Sequence, residues 1–192
     1  LEAQRQQLLA AGQLTEGEVE PADIISAPDQ VRIGEVQARW LVRCEGPFGA
    51  LPGLVPVKGE TLVVRIPGLQ LSRMVHRGVF VLPLGRGLYR VGATFKWDDV
   101  FDGPTDDARA WLLERLQALV QGPVEVVDHS AGVRPTAQDR RPLLGVTGPA
   151  QGVFNGLGSR GVLLAPWCAQ HLAAHLLDGA ALDPEVDVAR TC

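Results

Sequence analysis

The chain is short of several things, and each shortage removes a class of function. It has 18 Lys and Arg against 22 Asp and Glu, a formal net charge of −4, and no basic run beyond Asp139-Arg140-Arg141. The electrostatic footprint of a nucleic-acid binder is therefore missing. No apolar stretch approaches the length of a membrane span, and no signal peptide is visible at the start. Cys44, Cys168 and Cys192 are an odd number without paired spacing, which points to structural thiols in a reducing compartment and hence to a cytoplasmic protein. No nucleophile elbow, phosphate loop, pair of zinc ligands, internal repeat or low-complexity segment is found. An initiator Met is also lacking: Leu1 falls in what reads as the middle of a helix, so the expectation is a fragment of a longer protein.

What is there is ordinary globular material, 46% hydrophobic and 21% charged over 192 residues, enough for one good core or two modest ones. Residues 2 to 12 read as a short amphipathic helix with a packing role, and residues 13 to 30 as an acidic loop ending in a Pro28-Asp29 turn. Short strands are expected at Val31 to Val36 and Ala38 to Cys44. A longer strand follows at Val55 to Ile66, and residues 78 to 95 form a hairpin turning at Gly85-Arg86-Gly87. Tyr89, the only tyrosine, alternates onto an apolar face and reads as core. Thr105-Asp106-Asp107 caps a helix through Val120 whose apolar face is Ala108, Trp111, Leu112, Leu116 and Leu119. A strand at Val124 to Asp128 leads into a small-residue turn at Ser130 to Pro135. These elements predict an α+β fold, an antiparallel sheet with a covering helix.

The most informative stretch is Asn155 to Pro166, a glycine-rich loop joined to a helix from about Trp167 to Leu177, with Pro166 in its first turn and Gly179 as a left-handed cap. Such a loop aims free N–H groups and the positive end of a helix dipole at one point, a site of anionic preference. Arg134 is the candidate charge. Pro135 holds it extended, and it can either grip a carboxylate with two N–H groups or form a structural ion pair with Asp139. His129, beside Asp128, reads as a hydrogen-bonding residue that could titrate near neutral pH. Cys168, His171 and His175 share a helical stripe that could hold a metal. A core face of Ala169, Leu172, Ala173 and Leu176 would instead leave that stripe facing solvent or a subunit boundary, and no metal site is expected.

In order and spacing these segments resemble the C-terminal half of the FAD-dependent D-amino-acid oxidase superfamily, the branch with glycine oxidase and sarcosine oxidase. Val57-Lys58-Gly59-Glu60 resembles the strand after its cofactor domain, and Phe80-Val81-Leu82-Pro83 with Val91-Gly92-Ala93-Thr94 its substrate-domain hairpin. Ala131-Gly132-Val133-Arg134-Pro135, with Asp139, Pro142 and Gly145, resembles its arginine motif, and Gly156 to Pro166 its closing flavin loop. Gly158-Ser159-Arg160-Gly161 is also similar to the oxidase domain that trims modified uridines in tRNA.

The resemblance implies FAD as cofactor and hydride transfer from a carbon beside an amine. It makes Arg134 and Phe80 substrate-binding, and Gly46, Leu157, Gly158, Ser159, Arg160, Gly161, Val162 and Leu163 cofactor-binding. It names no catalytic residue. Phe80 stands where a tyrosine would help hold the carboxylate, which departs from a small amino acid substrate. The implied organisation is residues 1-54 as the end of a substrate-domain helix with partial cofactor-domain strands, 55-128 as the substrate sheet with its helix, and 129-192 as the closing segment of a Rossmann-like FAD domain. The G-x-G-x-x-G fingerprint that should open such a protein is absent from the start of the chain, so the fragment alone is expected to be inactive. The implied partner is a small amine or amino acid, with no nucleic acid, no membrane span and a homo-oligomer left open. The alternative is a non-catalytic module that binds a small carboxylate or a partner chain.

Overall fold

The computed structural model describes residues 2–191, so Leu1 and Cys192 lie outside the described residues. Among the described residues no helix is long and apolar enough to cross a membrane. The chain divides into two compact units, one made of residues up to Val42 with Val146–Gly152, the other of Arg43–Gly145 with Val153 onward.

The first unit opens with helix α1 (Glu2–Ala10), which buries none of its residues, so the packing role expected of it is not observed. Strands β1 (Ile24–Ala27), β2 (Gln30–Ile33) and β3 (Val36–Ala38) form an antiparallel sheet in that order. Two expectations change here. Within the acidic stretch residues 24–27 are strand β1, followed by the expected Pro28-Asp29 turn, and the segment Val31 to Val36 is split by Gly34, whose φ of +57° makes the turn between β2 and β3.

Strand β4 (Leu41–Arg43) leads through a 3-10 turn at Gly46–Phe48 into β5 (Leu54–Arg65), the spine of the second unit. Strands β6 (Val75–Arg77), β7 (Val79–Gly85) and β8 (Leu88–Gly92) follow, then α2 (Asp106–Gln117) and β9 (Glu125–Ala137). The five-stranded sheet has the order β6-β7-β8-β5-β9 and every pairing in it is antiparallel. The segment expected as a turn at Ser130 to Pro135 is strand throughout. Small side chains suggested a bend, but Val57 to Thr61 pair residue by residue with Arg134 to Ser130 and hold the backbone extended. In the same way β9, which opens the last expected segment of the chain, lies in the sheet of the one before it.

One face of this sheet packs on α2. Leu112 and Leu116 are buried with Leu62, Val64, Val79, Val81, Tyr89 and Val91, each such side chain adding about 1.5–3 kcal/mol. Trp111, placed on the apolar face by periodicity, is exposed and lies beside Arg115. Thr105 caps α2, its hydroxyl accepting from the Ala108 N–H.

Strands β10 (Leu143–Gly148) and β11 (Gln151–Asn155) lead to the last helix, α3 (Gly161–Asp178). Sheet order β10-β11-β4 completes the strand set. Helix α3 starts six residues earlier than expected, so Pro166 sits inside it rather than in its opening turn and deprives the Val162 carbonyl of its N–H partner. Gly179 is a left-handed cap at φ +71°, as the sequence predicts. Cys168 is not on an outward stripe: it is buried with Leu144, Leu172 and Val186, while Ala169 and Ala173 are exposed.

Candidate functional site

A cavity of about 690 Å³ opens in the second unit between the face of β5 and β9 away from α2 and the loop before α3. Antiparallel alternation sorts the side chains. Val57, Gly59 and Thr61 share the cavity face with Arg134, Gly132 and Ser130, while Lys58, Glu60 and Leu62 share the other with Val133, Ala131 and His129.

Arg134 reaches into this cavity from β9, extended as Pro135 requires. Its guanidinium lies over Gly59, where any β-carbon would overlap it, and under the Phe95 ring at 4.4 Å. Nη1 donates to the Thr94 carbonyl at 3.3 Å. No carboxylate pairs with it among the described residues. Asp139, the expected partner, is taken by Arg190, whose Nε donates to it at 2.8 Å. Burial pushes the Arg134 pKa down, the mark of a cation that has lost water without gaining a counter-charge. Stacked on both faces and open at one edge, the guanidinium is presented as a fork for an anion.

Phe95 and Trp97 form an aromatic wall of the cavity beside Arg134. Sequence reading assigns Phe95 only to the end of the hairpin and Trp97 to no element, whereas β8 ends at Gly92 and both rings lie beyond it. Phe80, the expected substrate contact, does not line this cavity; its ring packs against Gly92 in the β7–β8 hairpin.

The opposite wall is the glycine loop, with Leu157, Gly158, Ser159 and Arg160 lining the cavity. Gly156 and Gly158 have φ of +72° and +56°, and a β-carbon on Gly156 would meet Leu143 at 2.9 Å. Asn155, buried at the loop base, donates from Nδ2 to the Gly46 carbonyl at 2.8 Å and accepts the Gly156 N–H at 2.8 Å. Gly46 is thus tied to the loop through Asn155 and is not a cavity-lining residue. Gly161 opens α3 without a side-chain cap from Arg160, and Val162 and Leu163 in its first turn are 85% and 76% exposed. These uncapped amides suit an electron-rich group. Gly156-Leu157-Gly158-Ser159-Arg160-Gly161 has the spacing G-x-G-x-x-G between β11 and α3, but among the described residues no strand follows α3, so the dinucleotide-binding βαβ unit is not formed here.

The face away from the cavity holds a charged cluster that periodicity did not expose. Lys58 and Glu60 are 0% and 1% exposed and 3.4 Å apart, and His129 Nε2 stands 2.9 Å from Glu60 without hydrogen-bond alignment. Burial raises the Glu60 pKa, but the Thr105 N–H and hydroxyl, with Lys58, outweigh it and leave the carboxyl below its ordinary value. On α3, His171 accepts the Asp183 N–H and His175 donates to the Ala180 carbonyl, so both cap the chain after the helix. Among the described residues no cluster of metal-ligating side chains is found.

Antiparallel sheets, a helix packed on one of them and an arginine-lined cavity facing a glycine loop define a mixed α/β protein. The family model of FAD dependent oxidoreductase, DAO, matches residues 3–175, and the chain belongs to that family. It is 36% identical over 149 residues to the ThiO protein of Rhizobium etli, whose name assigns it provisionally as a thiamine biosynthesis oxidoreductase, covering 71% of this chain and 44% of the relative. It is 34% identical over 164 residues to the tRNA 5-methylaminomethyl-2-thiouridine biosynthesis bifunctional protein MnmC of Caulobacter sp., covering 80% of this chain and 27% of that protein. The crystal structure of glycine oxidase from Geobacillus kaustophilus superposes with a TM-score of 0.69 at 28% identity, covering 86% of this chain and 50% of that one. The chain thus spans about half or less of these relatives. The residues of the loop and of the α3 first turn fit the family's cofactor: a loop turned by positive-φ Gly156 and Gly158, and helix amides without a side-chain cap.

Proposed function

We propose that this chain is the substrate-binding and flavin-closing part of an FAD-dependent oxidoreductase that oxidises the C–N bond of an amine or amino acid. The observation that carries this reading is the half-buried Arg134 guanidinium, paired with no carboxylate among the described residues and facing a cavity lined by the glycine loop. When bound, FAD supplies a hydride acceptor for the carbon beside the amine, leaving an imine that water hydrolyses. The chain's own residues bind and orient. Arg134 holds the substrate carboxylate, Phe95 and Trp97 exclude water from one side, and Leu157 to Leu163 lie against the cofactor, where the α3 dipole favours negative charge. Phe80 lies behind Gly92 and contributes shape to the hairpin. In this reading residues 55-128 with β9 form the substrate sheet and the loop and α3 form the closing segment of a Rossmann-like domain. The free thiols Cys44 and Cys168 suit a reducing cytoplasm.

A second reading is a carboxylate-binding module without catalysis, which the same Arg134 guanidinium, lined by Phe95 and Trp97, would also support. A substrate within RNA, suggested by the name of MnmC, is disfavoured by the net charge of −4. The visible spectrum of the full-length protein separates the readings. Flavin bands that bleach anaerobically on addition of an amine or amino acid support the oxidoreductase. A colourless protein that still binds acetate supports the module.

A further inference from the structure

A buried ion pair is costly in desolvation, so its geometry repays attention to what it holds. The Lys58 and Glu60 side chains are directed at one end of a single segment, and their backbones at the other. Lys58 Nζ donates to the Gly103 carbonyl at 2.5 Å, while Glu60 accepts the Thr105 N–H at 2.8 Å and the Thr105 hydroxyl at 3.0 Å. The Lys58 backbone exchanges two hydrogen bonds with Lys96, at 2.9 and 3.0 Å. The Glu60 carbonyl accepts the Thr94 N–H at 3.2 Å, and the Glu60 N–H donates to the Thr94 hydroxyl at 2.9 Å. Within the segment these contacts hold, Phe95 and Trp97 line the cavity, the Phe95 ring stacks on the guanidinium and the Thr94 carbonyl accepts from Arg134.

We propose that Lys58 and Glu60 are positioning residues for ligand binding: from the far face of β5 they fix residues 94–105, so that Phe95, Trp97 and the Thr94 carbonyl stand around Arg134. The consequence for binding rests on the reading of Arg134 as a carboxylate receptor; the fixing of the segment does not. A purely stabilising pair would be replaceable by apolar side chains of similar volume, with the cavity unchanged. A positioning pair would not, because Met and Leu offer nothing to the Gly103 carbonyl or to Thr105.

The test is the double variant Lys58→Met/Glu60→Leu in the full-length protein, read by amide hydrogen exchange and by titration with acetate. Glu60→Gln provides the same two readouts should the double variant fail to fold. The expected result is faster exchange within residues 97–105, the part the two side chains hold, with the backbone-paired amides of Thr94 and Lys96 and those of β7 and β8 little changed, and about a tenfold rise in the acetate Kd. Unchanged exchange in 97–105, or acceleration spread evenly over β5, β7, β8 and β9, overturns the proposal. A wild-type protein that binds no acetate sinks the carboxylate reading instead, and the exchange pattern still decides whether the pair positions the wall.

Discussion

The guanidinium of Arg134 occupies the space that a β-carbon on Gly59 would fill, one strand over and two residues along from its pairing partner Val57. Gly59 is therefore the floor of the anion site, and the Phe95 ring is its ceiling. Gly59→Ala is expected to push the guanidinium off this floor and raise the Kd for a small carboxylate about tenfold. Gly132→Ala is the matched control: Gly132 pairs with Gly59, but a β-carbon there meets nothing within 4 Å, so binding should persist. Equal effects from the two variants would remove Gly59 from the site.

Two carboxylates, the buried Glu60 and the exposed Asp139, set an acid limit on stability. Glu60 and Asp139 both lie below their ordinary pKa, Glu60 because the Thr105 bonds and Lys58 outweigh burial, Asp139 chiefly through its hydrogen bond to Arg190. A carboxyl whose folded pKa is depressed contributes stability that is present above its unfolded pKa and is lost as pH falls through the folded one. Tm should therefore hold near neutral pH and fall below about pH 4, the unfolded carboxylate range. Glu60→Gln should lower Tm at pH 7 and flatten its fall in acid. An acid profile identical to that of the wild type would contradict the assignment.

Arg190 fastens the last turn of the described chain to the segment after β9. It bonds Asp139 through Nε and Nη2 and donates to the carbonyls of Asp187 and Arg141. Arg190→Met should cost about 0.5–1 kcal/mol, since the ion pair with the exposed Asp139 is screened by solvent. The Asp139 carboxyl should then return toward its ordinary pKa in an NMR titration; a carboxyl that stays depressed would mean another group holds it.

Pro166 is misplaced by helix rules, and that gives a prediction of opposite sign. Pro166→Ala restores an N–H to the Val162 carbonyl inside α3 and should stabilise the protein by about 1–3 kcal/mol, read as a higher denaturant midpoint. A loss of stability would show that the helix depends on the proline ring.

Local signals were legible in the sequence and tertiary ones were not. The Thr105 cap, the left-handed Gly179 and the β7–β8 hairpin depend on neighbouring residues, and all are observed. Arg134 and Leu157 to Arg160 were singled out, and the fold brings them to one cavity. Ser130 to Gly132 looked like a turn because strand propensity is low there, yet β5 imposes extension on them. Phe95 and Trp97 carry no periodic signal, and their place beside Arg134 depends on a clamp from the far face of the sheet. Cys168 was assigned to a polar stripe because thiols can bind metals, but packing treats it as a small apolar group.

The central claim is that Arg134 receives a carboxylate, and equilibrium titration of the full-length protein with acetate, wild type beside Arg134→Ala, tests it most directly. Removing a charged donor from a partly desolvated site should weaken binding about 100-fold, with the thermal transition little changed. Equal affinity in the two proteins would place the anion elsewhere and contradict the account.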